Sequence, residues 1–170
     1  MDQIVYTYLH SFLSTPVTSF MIAITFLGSV TGVILICLLG LMMNMQKGLI
    51  LSINMAIVAV INVIIKNVVQ RPRPSVMRLV VETGYSFPSA HAMVSFALFG
   101  FISYFLWKKN HLLSILVMIV PLMIGVTRVY LGVHYASDVF AGFLFACIYL
   151  YMVIPMMEYY HIVPVSHVMT

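Results

Sequence analysis

Charge is what this sequence most lacks: only 7% of its 170 residues are Asp, Glu, Lys or Arg. A soluble globular domain carries about 25%, so that class is excluded. Cysteine is almost as sparse. Cys37 and Cys147 fall within apolar runs and are expected to be buried free thiols, which excludes a disulfide framework. Internal repeats and low-complexity segments are missing. The net charge of +4 would suit nucleic acid, but the cations form no solvated basic stripe, and no nucleic-acid partner is expected. The opening MDQIVYTYLH has no positive n-region, so no removable signal peptide is read there.

What is present instead is apolar: 63% hydrophobic residues and a mean hydropathy of +1.11. A helix crosses the hydrocarbon core of a bilayer with about 20 such residues, and within hydrocarbon the backbone polar groups are best satisfied inside helices. The expectation is an all-α integral membrane bundle, with residues 1–170 forming one membrane-embedded domain. Spans are expected near 29–44, 49–70, 88–107, 112–130 and 135–157. Residues 1–15 read as a short interfacial helix, Pro16 restarts the chain, and Gly28-Ser29 bends a short helix at 17–27 into the next span. The count is five transmembrane helices, or six if residues 4–27 cross. Tyr149, Tyr151, Tyr159 and Tyr160 read as an aromatic belt at the membrane interface.

Alternate crossings place the long connection 71–87 and the short one 130–135 on one side, and Lys47, Lys108, Lys109 and the C-terminus on the other. With Arg71, Arg73 and Arg78 ascribed to a polar site, the positive-inside rule makes the lysine side cytoplasmic, so the first set of loops is expected outside the cytoplasm.

Charge near a span has to be explained, because inserting it costs on the order of 2.5–3.5 kcal/mol. Three clusters hold five of the 12 charged residues. In KNVVQRPRP, Lys66 lies about a turn before a helix end enforced by Pro72 and Pro74, so Lys66 and Arg73 can project toward one point. They suit an oxyanion, or else they snorkel to headgroups. In YSFPSAHAM, Ser86 is a candidate N-cap and Pro88 belongs in a first turn, leaving the N–H groups of Ser89, Ala90 and His91 free to bind an anion. Ordinary capping explains Ser86 and Pro88 equally well, but not His91. In TRVYLGVHYASD, Gly132 supplies a turn and Arg128 ends one span. His134 begins the next, with Asp138 four residues on, along the same helical face. That carboxylate can take the proton of one imidazole nitrogen and leave the other as a nucleophile or base. A structural His–Asp pair is the simpler alternative. Arg78 and Glu82 are candidate headgroup contacts or a solvated loop pair, of which the loop pair is the simpler. With so few His and carboxylate groups beside so many cations, a metal site is not expected. The combined inventory matches phosphoryl transfer: cations for the oxygens, a nucleophile and a proton donor.

The three motifs, in this order and spacing over residues 66–138, resemble the type-2 phosphatidic acid phosphatase superfamily. Its signature is a lysine, six residues and Arg-Pro; then Pro-Ser-Gly-His; then Ser-Arg, five residues, His, three residues and Asp. The matching positions are Lys66 to Arg73-Pro74, Pro88-Ser89-Ala90-His91, and Thr127-Arg128 through His134 to Asp138. The resemblance implies that His134 attacks phosphorus, Asp138 orients it, and His91 protonates the leaving oxygen and then activates water. It implies that Lys66, Arg73, Ser89, Arg128 and the backbone near Ala90 hold the phosphate, with no metal or other cofactor. Ala90 replaces the usual glycine, which is harmless if its backbone is helical; Thr127 keeps the hydroxyl of the usual serine.

The helix pattern is most similar to the small bacterial lipid phosphatases of that family. It implies a bacterial cytoplasmic membrane location and a substrate such as phosphatidylglycerophosphate, undecaprenyl pyrophosphate or phosphatidate. The alternative is a non-catalytic lipid transporter or flippase with a cationic phosphate pocket, which would need neither the His134–Asp138 spacing nor His91.

Overall fold

The structure, a computed structural model, describes residues 2–162. Every regular element among them is helical: α1 (Asp2–His10), α2 (Thr15–Phe26), α3 (Val30–Met43), α4 (Met45–Val69), α5 (Ala90–Trp107), α6 (His111–Val117), α7 (Ile119–Tyr130) and α8 (Ala136–Tyr159). Four stretches are long and apolar enough to cross a bilayer: α4, α5, the run of α6 and α7 from His111 to Tyr130, and α8. The 14 residues of α3 reach about 21 Å, short of a core about 30 Å thick. Together with α2, from which it bends by 50°, α3 makes a fifth candidate span. The count is thus four, or five with that bent pair, against the five or six expected. Residues 4–27 do not cross as one helix, since α1 is separate and packs against α7 and α8.

The bend has a local cause. Ser29 is extended, and its hydroxyl accepts the Gly32 N–H at 3.1 Å, capping α3. A β-carbon at Gly32 would lie 2.1 Å from the Phe26 carbonyl oxygen, so the close turn needs glycine. At the next connection Asn44 caps α4 by accepting the Lys47 N–H at 2.9 Å. α4 stops at Gln70, which is left-handed (φ 50°) and directly precedes Arg71-Pro72.

α5 is central and packs against α4, α6, α7 and α8. Its Leu98 and Phe101 meet Met55 and Val58 of α4, Ile124 of α7 and Ala146 of α8 in one core. The outside of the bundle is also apolar, with Ile57, Val60, Leu144 and Ile148 exposed, as a hydrocarbon solvent requires. For that reason an apolar run alone does not tell inward from outward. Cys37 is buried as expected, but Cys147 is exposed on the outer face of α8. Tyr149 also departs from the aromatic belt: its hydroxyl turns inward and donates to Asn54 Oδ1 at 2.6 Å, while Tyr151, Tyr159 and Tyr160 stay exposed.

Alternation of the crossings gathers Lys66, Arg128, His134 and the 71–89 connection at one end of the bundle. Lys47 lies at the other, 5.5 Å from the ring of Phe105 near the end of α5. The chain's last residues, expected on the lysine side, lie outside the described residues. The long connection is tied down by bonds from the Leu79 N–H to the Leu131 carbonyl (3.1 Å) and from the Ser86 N–H to the Arg71 carbonyl (2.8 Å).

Gly132 makes the turn between α7 and α8 with φ 71°, and a β-carbon there would sit 2.4 Å from the Met77 carbonyl oxygen. Gly132→Ala should therefore cost about 2 kcal/mol or more, read as a lowered melting temperature in detergent. An unchanged melting temperature would contradict this account of the turn.

Candidate active site

His134 follows the Gly132 turn directly and is 3% exposed. Its Nε2 lies 3.3 Å from Arg73 Nη1. A guanidinium can only donate, so Nε2 presents its lone pair and the proton sits on Nδ1. Behind the ring, Nδ1 is 3.4 Å from Ser86 Oγ and 3.6 Å from Asp138 Oδ2. His134 lies in the turn before α8 and not in its first turn as expected, so the pair does not share a helical face; the carboxylate still comes to the Nδ1 side, at a distance too long for a direct hydrogen bond. Ser86 stands between them and donates to Asp138 Oδ2 at 2.5 Å. Asp138 is fully buried and also accepts from the Tyr135 N–H (3.0 Å) and Arg71 Nη1 (2.7 Å).

Ser86 is therefore not the helix cap that its place before Pro88 suggested. Phe87-Pro88 is a cis peptide, and α5 begins two residues later than expected, at Ala90, with Ser89 as its N-cap. The Ser89 hydroxyl accepts the Ala92 N–H at 3.5 Å. The Ser89 N–H, expected to be free, donates to the Asp138 carbonyl at 3.1 Å. That leaves the Ala90 and His91 N–H groups at the open end of α5. Ala90 lies in ordinary right-handed helix, since the only non-glycine residues with positive φ among the described residues are Gln70 and His161. Its methyl group therefore carries no backbone strain.

Three cations face this end. Lys66 reaches from the last turn of α4 to the carbonyls of Tyr85 (2.8 Å) and Ser86 (3.4 Å). Arg73 donates to the carbonyls of Thr83 (2.8 Å), Gly84 (3.1 Å) and Val133 (2.9 Å). Arg128, 1% exposed, donates to Thr25 Oγ1 at 3.0 Å and pairs with Glu82. Glu82 Oε2 also lies 3.7 Å from Arg73 Nη2. The expected Arg78–Glu82 loop pair does not form; Arg78 instead donates to the Pro74 carbonyl at 2.9 Å. A loop carboxylate held between two buried guanidinium groups marks them as a pair able to bind an oxyanion.

These groups head a cavity of about 620 Å³. Lys66, Arg73, Glu82, Ala90, His91 and His134 line its polar end, while Val33, Ile34 and Leu38 of α3 and Met55, Ala59 and Val63 of α4 line the rest. Of the candidate residues, Ser89 and Arg128 stand behind the lining, as does Asp138. Among the described residues no three His, Cys, Asp or Glu side chains converge as metal ligands. Three polar contributors were not apparent from the sequence: Ser86 and Arg71 as partners of Asp138, and Glu82 as a partner of the arginines. A serine and a glutamate within a loop carry no spacing signal for partners 52 and 46 residues away.

Comparison with known proteins gives the family and the fold. A profile of the PAP2 superfamily matches residues 47–162. Phosphatidylglycerophosphatase B of Bacillus subtilis (strain 168) is 35% identical over 103 residues, 56% of this chain and 51% of that protein, so the chain spans about half the length of this curated relative. The crystal structure of a transmembrane PAP2-type phosphatidylglycerolphosphate phosphatase from Bacillus subtilis superposes with a TM-score of 0.83 at 27% identity, covering 93% of this chain and 85% of that one. Aquifex aeolicus LpxE shares the fold, with a TM-score of 0.80 at 19% identity over 91% of this chain and 94% of its own.

Burial pushes the His134 imidazole down to about 4; Asp138 opposes this, and the charges of Arg128, Arg73 and Lys66 add to it. The ring is thus neutral at pH 7, and takes a proton only as the pH falls through about 4. An unfolded histidine protonates near 6.5, so stability tied to this ring declines as the pH drops from that value toward the folded one. Imidazole NMR, with His134→Gln for assignment, should show the His134 ring still neutral at pH 5.5. Titration of His134 near 6.5 would contradict the burial described here.

Proposed function

The chain belongs to the PAP2 superfamily, and on that premise we propose that it is a membrane lipid phosphate or pyrophosphate phosphatase acting through a phosphohistidine. The observation that carries the proposal is the orientation of His134: its Nε2 lone pair is turned to Arg73, both residues line the cavity, and Asp138 and Ser86 stand behind Nδ1. In the first half-reaction Nε2 attacks phosphorus as the bond to the leaving oxygen breaks, and protonated His91 gives that oxygen its proton. In the second, neutral His91 takes a proton from water, the water oxygen attacks phosphorus, and the P–N bond breaks to release phosphate and regenerate His134.

Lys66, Arg73 and Arg128 would hold the oxygens whose charge builds up in the transition state, with help from the Ala90 and His91 N–H groups. Ser89 contributes by fixing the start of α5 against Asp138. Asp138 and Ser86 hold the ring in one tautomer. The donor set is complete without a metal ion, and we assign the reaction to the protein's own groups. The substrate class follows from the cavity, where a phosphate at the charged end leaves apolar chains against α3 and α4. The similarity to phosphatidylglycerophosphatase B makes phosphatidylglycerophosphate the first substrate to test, ahead of undecaprenyl pyrophosphate and phosphatidate. With the lysine end cytoplasmic, the site opens on the outer side of a bacterial cytoplasmic membrane. A lipid transporter would use the same cations, but nothing in it calls for an oriented neutral imidazole.

Purified protein in detergent should release phosphate from at least one of these three lipids, with and without EDTA. His134→Ala should lower the rate by about 10³-fold or more, and His91→Ala by about 10²–10⁴-fold. Activity that survives in His134→Ala, or that EDTA abolishes, would overturn the mechanism. Lipid movement across vesicles without phosphate release would favour the transporter.

A further inference from the structure

Asp138 is the one fully buried carboxylate among the described residues, yet its environment does not end at the cavity. Oδ1 accepts from Arg71 Nη1 at 2.7 Å, and the same Nη1 donates to Ser137 Oγ at 2.8 Å. Arg71 Nη2 in turn reaches Asp2 Oδ2 at 3.2 Å. Asp2, in the first turn of α1, meets Ser137 twice: Oδ1 accepts its N–H at 3.0 Å and Oδ2 accepts its hydroxyl at 2.8 Å. The guanidinium also lies 3.9 Å over the ring of Tyr135, so ring, serine and two carboxylates define its position.

Two features make this more than a surface ion pair. First, α8 cannot cap itself in the usual way, because its N-cap residue is Tyr135, whose side chain makes no capping bond. Asp138 takes the Tyr135 N–H, and Asp2 supplies the carboxylate for the next open N–H, that of Ser137. Second, Asp2 and Arg71 are 26% and 31% exposed, whereas Asp138 is not exposed at all. An exposed pair adds little stability of its own, so the effect of this one falls on where its buried end is held. Burial alone would raise the Asp2 carboxyl, but its bonds to Ser137 and Arg71 outweigh that and keep it below the usual range.

We propose that Asp2 is a positioning residue: by capping α8 and taking half of Arg71, it sets the place of Asp138 behind the nucleophilic histidine. This rests on the phosphatase reading above. Without the Asp2 charge, Arg71 pairs with Asp138 alone and draws the carboxylate away from the His134 ring. The loss then appears in the chemical step rather than in substrate binding.

The test is a double-mutant cycle on phosphatidylglycerophosphate in detergent micelles, with kcat and KM measured separately and melting temperature as a check on folding. Asp2→Asn keeps the shape and removes the charge. It should lower kcat by about tenfold with KM little changed, and Asp2→Glu should recover most of that loss. In an Arg71→Ala background, Asp2→Asn should cost no more than about twofold further. A plain structural tether would cost as much in either background, and that result would overturn the proposal, as would an unchanged kcat in Asp2→Asn. The His134→Ala enzyme, run alongside, separates the two levels. If it stays active, the phosphatase mechanism itself fails; if it is dead while Asp2→Asn is fully active, only the role of Asp2 fails.

Discussion

A carboxylate withdrawn from water at the head of a membrane helix is stable only while it is paired and hydrogen-bonded, and much of this end of the bundle is built around that need of Asp138. Its side chain collects Ser86 from the long connection, the Tyr135 N–H from its own helix and Arg71 from the end of α4. Its backbone carbonyl accepts the Ser89 N–H, which sets the start of α5. One residue thus fixes the relation of three spans and a loop. His134 lies among them with Nδ1 toward the carboxylate and Nε2 toward the cavity.

The opposite wall answers a different electrostatic demand. Lys66, Arg73 and Arg128 would repel one another in a site this dry, but each is occupied: Lys66 and Arg73 by loop carbonyls, and both arginines by Glu82. Backbone oxygens and one loop carboxylate therefore hold the cations in place. Preorganisation of this kind matters for catalysis because the donors need not reorganise as charge develops. The cavity continues between α3 and α4 with an apolar lining, as the proposed lipid substrate would require: its charged end would meet the cations while its chains stayed in a hydrocarbon environment.

Much of this was legible in the sequence, for identifiable reasons. Lys66, Arg73, His91, His134 and Asp138 lie in local motifs, and Pro72, Gly132 and the Gly28-Ser29 bend announce where helices stop or turn. The spacing of four residues paired Asp138 with His134, but the turn after Gly132, and not a shared helical face, brings them together. What stayed hidden is long-range: Ser86 and Glu82 find partners through folding of a loop whose sequence shows no period, and Asp2 meets Ser137 across 135 positions. The inward turn of Tyr149 and the outward face of Cys147 were hidden for another reason. When solvent and core are both apolar, composition no longer distinguishes the two sides of a helix.

The central claim is that His134 carries the phosphoryl group between substrate and water. Phosphohistidine survives alkali and is lost in acid, so the direct measurement is to mix enzyme with labelled phosphatidylglycerophosphate, quench in alkali within the first turnover, and map the label by mass spectrometry. The account predicts label on the peptide containing His134, stronger in His91→Ala, where the water step is impaired. Turnover with no phosphoenzyme, or label on Ser86 or Ser89 instead, would contradict it.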